Sequence, residues 1–229
     1  MQPNWQRLER EVERVHRRYH VEVVEALGLC PWAKDARDQG RVAMAISFAR
    51  EPDSEAAWRT IDATMTRAST DIGIVVFPAL DLGRLPFSHF VAQCRAREQT
   101  SSRTGSSDNR IALADFHPDA TPDASSPERL VPFIRRAPDP MIQVVRLSAL
   151  EAVRLTEDRG TSFVDPSEHN LLSLCELPPA PPELATRVAR NNARTVQRLG
   201  LAHVDALICD IVRDRNVSYA ALGLTVPRW

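Results

Sequence analysis

Lysine is almost missing from this chain of 229 residues: Lys34 is the only one, among 29 basic residues in all. The 30 acidic residues balance them, so the formal net charge is -1. Proteins that bind nucleic acid without sequence preference are usually clearly basic. This balance therefore argues against a nucleic-acid partner, and we attribute the arginine excess to codon composition.

Long apolar runs and paired cysteines are also missing. No apolar run has the length that spans a bilayer, and the charged N-terminus "MQPNWQRLEREVERVHRRYH" lacks the apolar core of a signal peptide. We therefore expect a cytoplasmic protein with no membrane partner. The four cysteines stand far apart without a CxxC pair, which predicts free thiols and indicates no zinc site.

Several well-known sequence signatures do not occur. There is no GxGxxG, no phosphate-binding P-loop, no GxSxG and no HExxH. Nucleotide-dependent and serine-hydrolase activities therefore lack support, and the sequence predicts no cofactor and no metal.

Helix-like and strand-like segments alternate along the chain. Apolar residues at three- and four-residue steps, capping residues and prolines predict helices at 5–26, 53–68, 86–97, 183–199 and 203–215. Short apolar or β-branched runs predict strands at 42–49, 71–79, 110–117 and 141–147. This order predicts an α/β fold, with α+β as the alternative: a mixed sheet of about four strands with crossover helices, an N-terminal helix and a C-terminal helical pair.

The organisation predicted from composition is a single globular domain over 1–229. The polar stretch 99–109 is expected to be a mobile loop, and 183–217 holds the helical pair. The stretch from His117 to Pro140 carries six prolines, which exclude a long helix or a central strand. Leu130, Val131, Phe133 and Ile134 within it need burial, so we expect 118–140 to be an ordered loop rather than a linker.

Cys30 is the first candidate for chemistry. Pro31 suits the first position of a helix, which would place Cys30 at the N-cap, facing the free amides of the first turn. Those donors, and Lys34 one turn later, would favour a thiolate and so a nucleophilic or redox-active cysteine. The alternative is a buried cysteine with a purely structural role.

His117 ends the third predicted strand, and ligand-binding residues concentrate at the carboxyl ends of strands in open α/β sheets. The following proline restricts its backbone, which suits a general acid or base. Two alternatives stay open. One is a structural histidine bonded to a backbone carbonyl, and the other is a metal site shared with Cys30 and Asp115.

Three arginines are candidates for binding an anion. Arg135 and Arg136 lie between prolines in "PFIRRAPDP", and Arg146 lies on the following strand. Arginines held by rigid backbone suit bidentate binding of carboxylate or phosphate. The alternative is internal ion pairing with Asp115, Asp139 or Glu151. Asn192, in the unusual run "RNNARTV", is a candidate hydrogen-bonding support.

Four motifs in order, "LGLCPWAK", "IALADFHP", "RRAPDPMIQVVR" and "NNARTVQRLG", resemble the bacterial family catalogued as domain of unknown function 1415. The resemblance covers roughly residues 21–215. It implies that Cys30, His117, Arg135 or Arg136, Arg146 and Asn192 belong together, and it implies no activity because the family is uncharacterised. The chain departs from the family pattern at Trp32, usually phenylalanine, in "APDP", and at Leu147, usually glutamate.

Three hypotheses about function follow. The first is a small-molecule enzyme in which Cys30 and His117 act on an anionic substrate held by Lys34, the three arginines and Asn192. The second is a non-catalytic protein that binds an anionic ligand or partner in the same pocket, and the third is a metal-binding protein. The first requires Cys30, His117 and at least one of Arg135 and Arg136 to share a cavity.

Overall fold

The computed structural model describes residues 5–30, 33–101, 110–149 and 184–227. Its centre is a four-stranded mixed sheet in the order β1-β2-β4-β3. The strands are β1 (Val42–Ile46), β2 (Ile72–Val76), β3 (Ile111–Phe116) and β4 (Met141–Arg146). β1 and β2 run parallel, and β4 lies antiparallel to both β2 and β3. The carboxyl ends of β1, β2 and β3 therefore lie at one edge of the sheet, where β4 begins.

Seven α-helices surround this sheet in the described ranges. They are α1 (Trp5–Tyr19), α2 (Ala33–Asp38), α3 (Ser54–Thr64), α4 (Arg84–Ser101), α5 (Pro127–Ile134), α6 (Leu184–Leu199) and α7 (Leu201–Ala221). Helices α3 and α4 follow β1 and β2 as crossover connections, and a π-helix, His20–Glu25, continues α1. This architecture confirms the predicted α/β class. None of the described helices is long and apolar enough to cross a membrane.

Strand periodicity divides the core into two layers. Ile72, Ile74 and Val76 of β2 pack with α1, α5 and α7, whereas Val75 packs with α3 and α4. Successive strand residues point to opposite faces, so a fully buried strand must be apolar throughout. The uninterrupted run "IGIVV" meets that requirement, and helices cover both faces of the sheet at its centre.

Two segments that were predicted to be loops contain helix in the structure. Residues 99–101, assigned to a mobile loop, are the last turn of α4, and 102–109 lie outside the described residues. The proline-rich segment 118–140 contains the helix α5. Pro127 occupies its first turn, where no amide bond is lost, and the Ser126 hydroxyl accepts from the Arg129 amide.

A buried ionic network anchors α1 and α7 to the loop before β4. Asp139, with no exposed surface, accepts hydrogen bonds from Arg215 Nε at 2.8 Å and from the Tyr219 hydroxyl at 3.0 Å, and its other carboxylate contact is His16 Nε2 at 2.9 Å. Arg215 is equally buried and also donates to the Pro78 and Pro227 carbonyls. A buried carboxylate is tolerated when it is paired in this way. The network thus fixes α1 over the sheet.

Candidate functional site

A cavity of about 940 Å³ lies on the α1 face of the sheet. Strands β2, β3 and β4 form its floor, and the π-helix, the turn before α2, α5 and α6 supply its walls. Its volume falls in the range of small-molecule sites. Most of the described lining is aliphatic, and it includes Val24, Leu29, Ile72, Ile74, Ala112, Ala114, Val131, Ile134, Val145 and Val188.

Arg135 places a positively charged side chain in this mainly aliphatic wall. It follows the last residue of α5 and is partly buried, and its backbone carbonyl accepts from the His117 amide at 3.1 Å. Its guanidinium lies over the Phe116 ring, 5.8 Å from the ring centre, and forms no hydrogen bond or ion pair with a described residue. Burial lowers the pKa of Arg135, against the nearby Asp115 charge, which acts in the opposite sense.

Two neutral polar side chains in the lining also have unused hydrogen-bonding capacity. The Tyr19 hydroxyl is completely buried and has no partner among the described residues. Burial raises the pKa of this phenol, and the Arg135 charge opposes the rise, which indicates that the two groups are near each other. Asn192 of α6 is 7% exposed, and its carboxamide has no hydrogen bond within the described part of the chain. Buried polar groups are normally paired, so the Tyr19 hydroxyl is unusual.

The remaining charged groups of the described lining are compensated or exposed. Arg37 donates to both carboxylate oxygens of Glu25, at 2.7 and 3.0 Å. Arg110 and Glu128 are exposed and belong to the rim. His20 also lines the cavity, and burial together with the charges of His16 and Arg37 lowers the pKa of its ring to about 3, so it is neutral near pH 7.

Cys30 lies in the cavity wall, in the turn between the π-helix and α2. Gly28 ends the preceding helix at φ +64°, with its amide bonded to the Glu25 carbonyl and the Leu29 amide bonded to the Val24 carbonyl. These paired bonds are typical of a glycine-terminated helix. The partly exposed thiol of Cys30 is thereby brought to the same cavity as Arg135. Pro31 and Trp32 lie outside the described residues, so the N-cap role of Cys30 stays a prediction.

His117 does not line this cavity. Its ring packs on Phe87, which belongs to the core on the α4 face of the sheet, with 5.6 Å between ring centres. Its Nδ1 accepts from the Asp119 amide at 3.0 Å, so its Nε2 carries the proton and donates to the Leu82 carbonyl at 2.8 Å. Burial lowers the pKa of His117. The expectation that His117 shares one cavity with Cys30 is wrong, because strand alternation directs residue 117 to the other face.

The other basic candidates also lie outside the cavity. Arg136 pairs with Asp205 and donates to the Pro118 carbonyl, and so ties α5 to α7. Arg146 donates to the Thr70, Met65 and Arg67 carbonyls, on the α3 side of the sheet. Lys34 is exposed and pairs with Asp38 at 2.9 Å. The alternative given for the arginines was an internal ion pair with Asp115, Asp139 or Glu151. Arg136 does form an ion pair, but with Asp205, whereas the bonds described for Arg146 go to backbone carbonyls.

The metal-site hypothesis gains no support from the described residues. Among them, no group of three His, Cys, Asp or Glu side chains is arranged to hold a metal ion. Asp115, the carboxylate assigned to that site, instead faces Arg95, with 3.7 Å between their nearest charged atoms.

Some cavity residues are not apparent from the sequence. Tyr19, His20 and Gln143 line it, yet Tyr19 belongs to the apolar stripe of α1 and reads as a core residue. The π-helix also places residues five apart on one face, a spacing that α-helical periodicity does not anticipate. A polar residue in an otherwise apolar strand, Gln143 in "MIQVVR", was a usable signal.

Comparison with known proteins identifies a family and no characterised relative. The family model described as "Protein of unknown function (DUF1415)" matches residues 11–162. The match contains Cys30, His117, Arg135, Arg136 and Arg146, whereas Asn192 lies beyond it. No curated protein and no solved structure matches the chain. Because the model covers more than half of the sequence, the chain belongs to the DUF1415 family of proteins of unknown function.

Proposed function

We propose that this protein binds a small anionic molecule with an apolar body, carboxylate or phosphate at its head, in the cavity on the α1 face of the sheet. The observation that carries the proposal is the guanidinium of Arg135, which lies in a mainly aliphatic wall and has no hydrogen-bond or ion-pair partner among the described residues. The Asp115 charge acts on Arg135 from nearby without pairing with it, and a partly buried charge without a directly paired counter-ion is unfavourable. A bound anion supplies that counter-ion, and the apolar body fills the remaining volume.

The neutral donors of the same lining support the same ligand. A carboxylate or phosphate accepts several hydrogen bonds, and the Tyr19 hydroxyl and the Asn192 amide are donors in the lining that lack a described partner. The edge where Arg135 lies is formed by the carboxyl ends of β1, β2 and β3, the usual ligand side of open α/β sheets.

The test is binding of the fluorescent anion 1-anilinonaphthalene-8-sulfonate, which combines an apolar body with one negative charge. Arg135→Met is expected to weaken its binding about 10- to 100-fold, the loss that follows from a charge-assisted hydrogen bond of roughly 1.5–3 kcal/mol. Arg129→Met is the matched control, because Arg129 lies on α5 with a side chain 70% exposed. Equal affinity of the two variants contradicts the proposal.

A cysteine-dependent enzyme acting on the same ligand is the second candidate, because Cys30 lines the same cavity as Arg135. His117 does not serve as its base in this arrangement. The candidate predicts that iodoacetamide alkylates Cys30 faster than Cys209, which is also partly exposed, and that an anionic ligand changes the rate at Cys30 alone. Equal rates near pH 7 would leave the binding function without a thiol step.

A further inference from the structure

We infer that the ligand is a monocarboxylate with an extended aliphatic body, which narrows the proposed anion-binding function and rests on it. Three properties of the described lining lead to this class: its charge balance, its shape and the chemistry of its walls.

The charge balance favours a monoanion. The described lining holds three arginines and two glutamates, and His20 adds no charge near pH 7. Arg37 is neutralised by its bidentate pair with Glu25, and Arg110 and Glu128 are exposed at the rim. Arg135 is then the one interior cation of this lining without a carboxylate partner. A carboxylate brings one negative charge, whereas a phosphate monoester brings roughly 1.5–2 near pH 7 and leaves an excess in a low-dielectric wall.

The shape of the cavity favours an extended ligand. Its floor runs along β4 from Met141 to Arg146 and includes the next residue, Leu147, and Arg135 lies near Phe116, which pairs with Met141 at one end of that path. A strand rises about 3.3 Å per residue, so the five steps from Met141 to Arg146 cover roughly 17 Å. The lining at the far end includes the apolar residues Val42, Ile72 and Leu147, with the exposed Arg110 beside Leu147 at the rim. A head group bound at Arg135 therefore leaves a long apolar channel for the body.

The walls of that channel are suited to methylene groups. Away from the Arg135 end its side chains are mainly valine, leucine and isoleucine, and the two carbon-ring side chains of the described lining, Tyr19 and Phe116, belong to the Arg135 end. Burial of each methylene of the ligand stabilises binding by about 0.8 kcal/mol. Affinity should consequently increase with chain length until the channel is filled.

The experiment is calorimetric titration of the full chain with probes that differ in one property. Decyl phosphate differs from decanoate in the charge of its head group, decanol lacks the charge, and adamantane-1-carboxylate has a compact body in place of the extended chain. All probes are used below the concentrations at which they aggregate. We expect decanoate to bind at least about tenfold more tightly than each of the other three, a difference of about 1.4 kcal/mol. Arg135→Met should reduce the affinity of the protein for decanoate to its affinity for decanol.

Failure of this inference is distinguishable from failure of the proposed function. Tighter binding of decyl phosphate or adamantane-1-carboxylate, still lost in Arg135→Met, would overturn the monocarboxylate or the extended body and leave anion binding standing. Binding of decanol equal to that of decanoate, or binding of all probes unaffected by Arg135→Met, would overturn both. Absence of binding by every probe would also overturn both.

Discussion

The guanidinium of Arg135 lies over the ring of Phe116, with 5.8 Å between its central carbon and the ring centre. Such a contact stabilises a cation by about 0.5–2 kcal/mol, yet it leaves the net charge in place. Arg136, the next residue, has instead a carboxylate partner in Asp205. These two adjacent arginines thus have different roles. Arg136 is paired within the protein, whereas Arg135 has no carboxylate partner among the described residues and can bind an external anion.

Substitution of these two arginines should separate binding from stability. Arg136→Met should lower the free energy of unfolding by about 1–3 kcal/mol, because the Pro118 carbonyl and Asp205 lose their donor. Arg135→Met should change it little, since the loss of the Phe116 contact is offset by removal of a partly buried charge that has no described ion-pair partner. Urea denaturation of both variants without ligand measures the difference. A larger loss for Arg135→Met than for Arg136→Met would show that Arg135 is structural.

Tyr19→Phe removes a buried hydroxyl that has no described partner. The free energy of unfolding should stay constant or rise by up to about 1 kcal/mol, because no hydrogen bond is lost and an unsatisfied group disappears. Decanoate affinity should fall several-fold if the hydroxyl donates to the bound anion. Thermal denaturation and calorimetric titration give the two values. Tyr219→Phe is the control, because the Tyr219 hydroxyl already donates to Asp139 and its loss should destabilise the fold.

Asp139→Asn should destabilise the protein by about 3–5 kcal/mol, because it leaves Arg215 buried without its counter-charge. Burial raises the pKa of Asp139, but the Arg215 charge and the His16 contact outweigh it, so the folded-state pKa lies below the ordinary value. This group therefore stabilises the fold above about pH 4 and loses that contribution as the pH falls toward the lower folded-state pKa. Urea denaturation between pH 2.5 and 5, at roughly half-unit steps, should show a weaker pH dependence for Asp139→Asn than for the wild type. Parallel curves would contradict the assignment.

His117 should also make stability fall as the pH falls, although the deprotonated form that the fold favours is here neutral rather than charged. Burial lowers its folded-state pKa, so the folded protein favours the neutral ring. Its contribution is complete above the unfolded-state pKa of about 6.5 and is lost as the pH falls below it. His20 acts in the same direction, so the informative quantity is the difference between the wild type and His117→Gln. We expect the variant to lose less stability between pH 7 and 5; an unchanged slope would mean that His117 is not held neutral.

The fold was predictable because its signals are local. The run "IGIVV" is apolar at every position and became the fully buried β2. The helix predicted from residue 53 begins at Ser54, and the Asp53 side chain caps it at the Glu55 and Ala56 amides. The predicted and observed bounds of the helices and strands differ mainly at their ends, where the side-chain pattern gives little information about the exact terminal residue. The eight-residue helix within 118–140 was missed because proline was taken as a helix breaker, although Pro127 lies where it starts a helix.

The site was less predictable because it depends on which face of the sheet each residue meets. His117 and Cys30 flank the same sheet, yet the parity of residue 117 along β3 carries the histidine ring to Phe87 on the α4 side. Ion-pair partners could not be predicted from the sequence either. Asp139 pairs with Arg215, 76 residues away, rather than with the neighbouring arginines. Long-range pairing of this kind follows from packing, which local sequence patterns do not encode.

The most direct test of an anion at Arg135 is the NMR signal of its own Nε–H group. A ¹H–¹⁵N spectrum of the wild type, with the Arg135 resonance assigned by its absence in Arg135→Met, is followed during titration with decanoate. We expect the Arg135 Nε–H resonance to shift and to saturate with the calorimetric affinity, while those of Arg136 and Arg215, already paired with Asp205 and Asp139, stay in place. Saturating ligand that leaves the Arg135 resonance unmoved would contradict the central claim.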